Sequence, residues 1–211
     1  MRSMPLLYLI TDRRVLPSPN DEPHVRPVEN LIARALGAGV DMVQLRETDL
    51  SAREQLTLAQ AATTLARECG SKVLVNDRVD VAAAVGAGVH LTTRSMKPEV
   101  IRRSFGTTML IGVSTHSMEE AAAAEQGLAD FIVFGPVFET RSKAGYGPPV
   151  GLDALRAVAA RVRIPVLALG GISLTNFRAA LDAGAAGVAG ISLFAHKQDL
   201  HALVRTIKGG V

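Results

Sequence analysis

The amino-acid sequence predicts an α/β fold, namely a single-domain (β/α)₈ TIM barrel over residues 1–211. Eight short apolar runs alternate with amphipathic segments along the whole chain. This alternation is typical of parallel strands joined by crossover helices. Eight such units in 211 residues, evenly spaced with nothing left over, match a small barrel. A doubly wound open sheet is the alternative.

The predicted strands are apolar runs of six or seven residues. They occupy residues 6–11, 42–47, 72–77, 88–93, 109–115, 131–137, 165–171 and 187–192. Amphipathic segments that predict helices include residues 28–39, 52–69, 117–127, 151–162 and 174–184. Many of them end in glycine, a common residue just after a helix. Residues 15–26 contain three prolines and predict an irregular loop after the first strand, either a mobile lid or an insertion.

Composition excludes several classes of protein. Apolar residues make up 48% of the chain, charged residues 20%, and the net charge is +3. Basic residues form no block interleaved with aromatics, so we expect no nucleic-acid partner. Apolar runs stay far below the ~18 residues of a membrane span, so we expect no membrane association. The single cysteine, Cys69, allows no internal disulfide and fits a reducing compartment, so we expect a cytoplasmic protein.

Polar residues gather where the predicted strands end. Active sites of such barrels lie at the C-terminal ends of the strands, and side chains alternate in and out along each strand. The residues in this position are Gln44 and Arg46, Asn76 and Asp77, His90 and Thr92, Ser114 and His116, and then Thr140, Ser142 and Lys143. Their convergence from several strands predicts a polar ligand site at one mouth of the barrel.

Two loops predict a phosphate site. The loops after the seventh and eighth strands carry Gly170 and Gly171, and Ile191 and Ser192. Glycines let backbone N–H groups approach an anion, and a following helix N-terminus would favour it. Tight turns without any ligand are the simpler interpretation of the glycines. The hydroxyls of Thr140 and Ser142 and the ammonium of Lys143 predict a second anion site across the mouth, with a solvated surface loop as the alternative.

His116 is the histidine predicted to face the mouth, and its titration near neutral pH suits acid–base catalysis. A helix-capping role is the alternative. We expect His90 to lie inside the barrel rather than to act on substrate. The chain lacks His-x-x-His and Cys-x-x-Cys spacings, so we expect no zinc site. Asp77 and Glu47 are the carboxylates at the mouth that could serve magnesium.

These residues resemble the thiamin phosphate synthase superfamily, which includes the TenI-type thiazole tautomerases. The matching segments are YLITD, QLRE, VNDRVD, GVHLTT, GVSTHSMEEA, FGPVFETRSKAGYGPPVGL, IPVLALGGI and GVAGIS. They follow the family's order and cover nearly the whole chain. The resemblance implies the same barrel and a thiazole-phosphate site at Gly170, Gly171, Ile191 and Ser192.

The resemblance implies two chemistries. A synthase joins a hydroxymethylpyrimidine pyrophosphate to a thiazole phosphate and releases pyrophosphate with Mg²⁺. In that branch Asp77 would bind the metal, Arg46, Thr140, Ser142 and Lys143 would hold the pyrophosphate, and Gln44 and Asn76 also match. A tautomerase needs no cofactor and moves a proton on a carboxythiazole phosphate. There His116 would carry the proton, Arg46 would orient the carboxylate, and Ser114 or Glu47 would assist.

Two departures from the synthase pattern favour the tautomerase. Thr48 stands where the synthases have a lysine, and Ser95 stands where they have a metal-binding aspartate. Both changes remove groups that would stabilise departing pyrophosphate. We therefore predict a thiazole tautomerase, with the synthase as the alternative. A catalytically silent barrel that binds a thiazole or thiamin phosphate and signals to a partner is the third hypothesis. The expected partners are these small phosphorylated molecules and, through pairing of barrels, a second copy of the chain.

Overall fold

The structure, a computed structural model, describes residues 4–17, 25–140, 148–195 and 197–209. Its eight strands are β1 (Leu6–Ile10), β2 (Met42–Leu45), β3 (Lys72–Asn76), β4 (Gly88–Leu91), β5 (Ile111–Thr115), β6 (Phe131–Phe134), β7 (Val166–Leu169) and β8 (Gly187–Gly190). Every neighbouring pair is parallel, and β8 pairs with β1. The strands therefore form a closed barrel in chain order. The predicted (β/α)₈ fold is confirmed, and the open-sheet alternative is wrong.

Helices cover the outside of the barrel. They are α1 (Val25–Gly37), α2 (Ala52–Cys69), α3 (Val79–Val85), α4 (Pro98–Phe105), α5 (Met118–Gln126), α6 (Gly151–Arg161), α7 (Phe177–Asp182), α8 (Ser192–Ala195) and α9 (Leu200–Lys208). Local sequence explains their ends. Ser51 and Glu54 form a capping box at the start of α2, and Gly70 ends that helix in the left-handed conformation.

The alternation of side chains along each strand builds two separate cores. Outward-facing residues pack with the helices in the larger core. Inward-facing residues fill the barrel, and they are Tyr8, Ile10, Met42, Leu74, Phe131, Val133, Leu167 and Ala189. Because this inner core closes the barrel below the mouth, ligands have access only to side chains at the strand ends.

The segment after β1 differs from the predicted loop at both of its ends. A short 3₁₀ turn covers Arg13–Val15, and α1 already begins at Val25. Residues 18–24, the middle of the predicted loop, lie outside the described residues. None of the helices in the described part of the chain is long and apolar enough to cross a membrane. The extension of the single domain to residues 1–211 stays a prediction.

Candidate active site

A cavity of about 590 Å³ opens at the C-terminal mouth of the barrel. Its lining comes from the ends of six strands and from the loops after the other two, β4 and β6, the latter through Thr140. The size is typical of a small-molecule site. Ten of the predicted site residues line it, and they are Gln44, Arg46, Asn76, Ser114, His116, Thr140, Gly170, Gly171, Ile191 and Ser192.

Of the predicted site residues that the structure describes, Asp77 does not contribute to this lining. Asp77 is exposed at the mouth end of β3 and is not part of the cavity wall. Its backbone has a positive φ of 62°, and its N–H donates to the carbonyl of His90 at 2.9 Å. Ser142 and Lys143 lie outside the described residues, so the second half of the predicted anion loop stays a prediction.

The loop after β7 holds the chain in a shape that only glycine adopts readily. Gly170 and Gly171 have φ values of +96° and +64°. A Cβ at Gly170 would lie 2.5 Å from the Cβ of Pro136, and one at Gly171 would lie 2.8 Å from the Cβ of Phe138. Asn176 fixes the loop by donating its side-chain amide to the Gly171 carbonyl at 2.9 Å. The cavity wall is therefore bare backbone here, as the predicted phosphate site requires.

The helix after β8 is shorter than the predicted phosphate site implies. Helix α8 runs only from Ser192 to Ala195. Four residues sum too few peptide dipoles for a substantial macrodipole. Local N–H groups and the Ser192 hydroxyl are thus the features of this loop that can hold an anion.

Three arginines of the described part of the chain line the cavity, and the sequence predicted a role only for Arg46. Arg14 follows β1 and Arg94 follows β4. Arg14 forms a two-pronged ion pair with Asp12 at 2.8 and 2.9 Å, and Arg46 approaches the same carboxylate at 3.4 Å. Partial burial acts to raise the pKa of Asp12, but hydrogen bonds and charge from Arg14 lower it below the ordinary value. Among the described lining residues, one carboxylate against three guanidinium groups leaves the cavity cationic.

The position of Arg94 explains why the sequence did not predict it. It is an exposed residue in the turn between β4 and α4, directly after the predicted strand end and three residues after the observed one. Closed eight-stranded topology puts the β4 loop opposite the β8 loop, across the mouth from Ser192. Only the closed barrel brings this cation to the cavity.

His116 is oriented by its hydrogen bonds. Its Nδ1 pairs with the carbonyl oxygen of Gly135, and a carbonyl only accepts, so Nδ1 carries a proton. Its backbone N–H donates to Glu120 Oε2 at 2.6 Å. On the neutral ring Nε2 is then unprotonated and can act as a base. His116 lines the cavity, and its role in acid–base catalysis stays a prediction.

Gln44 and Asn76 form a polar pair on neighbouring strands. Gln44 Nε2 donates to Asn76 Oδ1 at 2.9 Å, and Gln44 is 2% exposed. Within the described residues, Gln44 Oε1 is buried without a hydrogen-bond partner. A buried acceptor without a donor is unfavourable, so this oxygen suits a ligand that brings an N–H or O–H group into the cavity.

Glu47 is the other carboxylate that sequence reasoning placed at the mouth. It is 6% exposed and accepts the Arg13 backbone N–H at 3.0 Å. Burial raises its pKa above the ordinary value. Glu47 does not line the 590 Å³ cavity, so the structure removes it from direct contact with ligand.

The magnesium ion implied by the synthase resemblance fits these residues only in part. The described residues hold no group of three His, Cys, Asp or Glu side chains that could bind a metal. Ser95 offers no substitute, because its hydroxyl accepts the Thr92 N–H at 2.8 Å within its own turn. Asp77 is exposed at the mouth and could supply one carboxylate. Magnesium bound by one protein carboxylate together with substrate phosphates is a common arrangement, and these residues fit that type alone.

Comparison with known proteins identifies the family. The profile of a family described as thiamine monophosphate synthase (TMP-TENI) matches residues 7–194. This chain belongs to that family. A putative thiamine-phosphate synthase of Geobacter sulfurreducens is 51% identical over 88% of this chain and 84% of its own length. A thiamine-phosphate synthase of a Roseiflexus species is 38% identical over 96% and 83%.

Solved structures agree with the family assignment. A thiamine phosphate pyrophosphorylase from Pyrococcus furiosus superposes with a TM-score of 0.83 at 34% identity, over 97% of this chain and 94% of the other. A 3-hexulose-6-phosphate synthase superposes at 0.71 but is only 17% identical, so it supports the barrel fold alone. The predicted superfamily is confirmed. The names of the relatives favour the synthase alternative over the tautomerase that the sequence predicted.

Proposed function

We propose that this thiamine monophosphate synthase family member joins a hydroxymethylpyrimidine pyrophosphate to a thiazole phosphate and releases pyrophosphate. The observation that carries the proposal is a single cavity with two kinds of anion-binding wall. Bare backbone at Gly170 and Gly171 supports a phosphate, and Arg46 and Arg94, which follow β2 and β4, support a more highly charged group farther round the mouth. Arg14 follows β1, which lies between β8 and β2 in the barrel. The family's synthases, named among the relatives, support the same choice.

The unpaired acceptor of Gln44 also supports the condensation. A pyrimidine bearing an amino group brings the N–H donor that the buried Oε1 lacks among the described residues. In the reaction a thiazole nitrogen forms a bond to the pyrimidine methylene carbon while the carbon–oxygen bond to pyrophosphate breaks. The departing pyrophosphate takes the bonding electrons, and guanidinium groups stabilise the charge that develops on it.

Magnesium would add to that stabilisation when bound. Asp77 is the described residue that would hold the ion, together with pyrophosphate oxygens. The positive charge of the ion would neutralise the leaving group. Thr140 would hydrogen-bond the same anion. Ser142 and Lys143, which follow in the chain, are proposed to complete this grip.

The direct test is product formation from the two substrates, with and without magnesium. We expect thiamin phosphate and pyrophosphate in equal amounts, with turnover falling steeply when a chelator removes the metal. Absence of product from a folded protein that binds the thiazole phosphate would contradict the synthase proposal.

A thiazole tautomerase is the second candidate, and the geometry of His116 favours it. Proton donation from Nδ1 to the Gly135 carbonyl leaves Nε2 as a base in the cavity. In this reaction Nε2 would take a proton from one carbon of a carboxythiazole phosphate and return it elsewhere on the ring, while Arg46 would hold the carboxylate. No cofactor is required.

His116→Asn tests the tautomerase candidate. In a tautomerase, loss of the base should lower kcat at least 100-fold while the thiazole phosphate still binds. The control is His201→Asn, because His201 is exposed on α9 and does not line the cavity. Isomerisation that survives in His116→Asn would contradict the tautomerase. A wild-type chain that binds the thiazole phosphate but catalyses neither the condensation nor the isomerisation would support the third hypothesis, a catalytically silent barrel.

A further inference from the structure

A hydrogen-bonded chain of three side chains runs from the closed barrel interior to the cavity. The Tyr8 hydroxyl lies 3.1 Å from His90 Nδ1, and His90 Nε2 lies 2.9 Å from Ser114 Oγ. Tyr8 is 0% exposed and His90 is 1% exposed, whereas Ser114 lines the cavity. The three residues come from β1, β4 and β5, so only the closed barrel assembles them.

The direction of each hydrogen bond follows from the single proton of Tyr8. Within the described part of the chain, His90 is the only hydrogen-bond partner of the Tyr8 hydroxyl. A buried O–H group that donates to nothing costs about 1–3 kcal/mol, so Tyr8 must donate to Nδ1. Burial lowers the pKa of His90 to about 3, so the ring is neutral and its one proton sits on Nε2. Nε2–H then donates to Ser114 Oγ.

The opposite direction of the two hydrogen bonds would leave the buried Tyr8 hydroxyl without an acceptor. If Nδ1 carried the proton and donated to Tyr8, the hydroxyl proton of Tyr8 would have no acceptor. Ser114 would then donate to Nε2 and would offer only lone pairs to a ligand. The observed burial therefore selects the direction in which Ser114 keeps its own hydrogen for the cavity.

The packing around the chain holds the rings in place. Phe131 meets Tyr8 edge-to-face, with ring centroids 5.6 Å apart, and its centroid lies 6.2 Å from that of His90. Gly112 leaves room for both neighbours, because a Cβ there would lie 2.9 Å from His90 Nδ1 and would collide with the Phe131 ring. Neither ring can turn without disturbing a filled interior.

We propose that Tyr8 and His90 are positioning residues that fix Ser114 as a hydrogen-bond donor to an acceptor atom of the bound substrate. The acceptor is a ring nitrogen or an anionic oxygen, the two acceptor types of a phosphorylated heteroaromatic ligand. The identity of that ligand rests on the proposed function, but the direction of the chain does not.

The first experiment reads the direction in the wild-type protein. Nitrogen-15 NMR of the histidine rings distinguishes a protonated from an unprotonated imidazole nitrogen, and His90→Gln assigns the His90 signals by their disappearance. We expect protonated Nε2 and unprotonated Nδ1 between pH 6 and 8. Protonated Nδ1, or a ring that titrates in this range, would overturn the proposal whatever reaction the enzyme catalyses.

The second experiment reads the consequence for ligand binding. Calorimetry with the thiazole phosphate should show that Tyr8→Phe and Ser114→Ala each weaken binding about 5- to 10-fold, as for the loss of one hydrogen bond. The double variant should bind no worse than Ser114→Ala, because both changes remove the same donor. Leu167→Val, also inside the barrel but outside the hydrogen-bonded chain, is the packing control.

The binding constants of the two single variants and the double variant decide the proposal. Additive losses, or a Tyr8→Phe variant that binds like the wild type, would contradict it. His90→Gln gives an independent check, since an amide can accept from Tyr8 and donate to Ser114, and we expect it to retain more binding than His90→Leu. If the condensation assay gives no product but the Tyr8 and Ser114 variants show the expected losses of binding, the proposed function is contradicted and this inference is still supported.

Discussion

Single atoms decide which groups in this cavity can act. On a neutral His116 ring Nε2 carries no proton because Nδ1 donates to the Gly135 carbonyl. Gln44 directs its amide nitrogen to Asn76, and its Oε1 has no partner among the described residues. Gly170 and Gly171 expose backbone because any Cβ would meet Pro136 or Phe138. None of these facts concerns the residue types alone. They depend on which partner each atom has.

A test at this scale is Gly171→Ala. The added Cβ lies 2.8 Å from Phe138 Cβ on a backbone with φ of +64°, so the loop must move. We expect the free energy of unfolding to fall by about 1–3 kcal/mol. We also expect the Kd for the thiazole phosphate to rise about tenfold. Denaturant unfolding and calorimetry measure the two effects.

Gly37→Ala is the matched control for that substitution. Gly37 ends α1, and a Cβ there would meet nothing within 4 Å. The free energy of unfolding of Gly37→Ala should stay the same or rise slightly, because alanine favours the helical conformation more than glycine does. Equal losses in the two variants would mean that the loop after β7 has no special need for glycine.

At the scale of elements, the strands set the cavity floor and the βα loops set its charge. Apart from the Tyr8 hydroxyl, the residues of the inner core are apolar, and Gln44, Asn76, His90 and Ser114 appear near the C-terminal ends of their strands. The loops then add Arg14 after β1 and Arg94 after β4. Strand positions therefore give shape and hydrogen bonds, whereas loop positions give cations.

Arg94→Gln tests the role of the β4 loop. Loss of one guanidinium should raise KM for the pyrimidine pyrophosphate about 10- to 100-fold, the range expected for a hydrogen bond to a charged group. The KM for the thiazole phosphate should change much less, because that phosphate is proposed to bind the β7 and β8 loops. Steady-state kinetics with each substrate varied in turn measures both values.

Arg103→Gln removes the same charge from a different place. Arg103 is exposed on α4 and does not line the cavity. An equal rise in KM for this variant would show that overall charge attracts the substrate and that Arg94 makes no specific contact.

At the scale of the whole molecule, closure of the barrel buries ionisable groups that an open chain would leave in water. His90 is the clearest case, since burial lowers its pKa to about 3 from an ordinary 6.5. Between pH 3 and pH 6.5, His90 is therefore protonated in the unfolded chain and neutral in the folded chain. The free energy of unfolding is therefore unaffected by protonation of His90 above pH 6.5, and it falls as the pH is lowered from 6.5 towards 3.

The free energy of unfolding should therefore fall more steeply on acidification for the wild type than for His90→Gln. Between pH 7 and pH 5 we expect the wild type to lose about 2 kcal/mol more than the variant, from the linkage between pKa and stability. Glu47 acts in the opposite sense, because its raised pKa makes the folded state bind a proton more tightly. Urea unfolding at both pH values measures the difference, and parallel losses in the two proteins would contradict a neutral buried His90.

The sequence by itself predicted the barrel, the family and most of the cavity wall. The alternation of apolar runs with amphipathic segments is enough for the barrel and the wall, because parallel strands in chain order must bring their C-terminal ends to one mouth. The family was predicted from the matching segments and not from this alternation. Ten predicted residues line the cavity for that reason. The sequence could not predict Arg94 or Arg14, since a loop residue has no periodicity that indicates where its side chain points.

Tertiary structure alone decided the partners of each polar atom. Tyr8, His90 and Ser114 are up to 106 residues apart in sequence, yet they form one hydrogen-bonded chain. Asp77 has the residue type of a metal ligand but lies outside the cavity wall. Residue type fixes what a side chain can do, whereas closure of the barrel fixes its neighbours and its access to water, and these determine its pKa and its role.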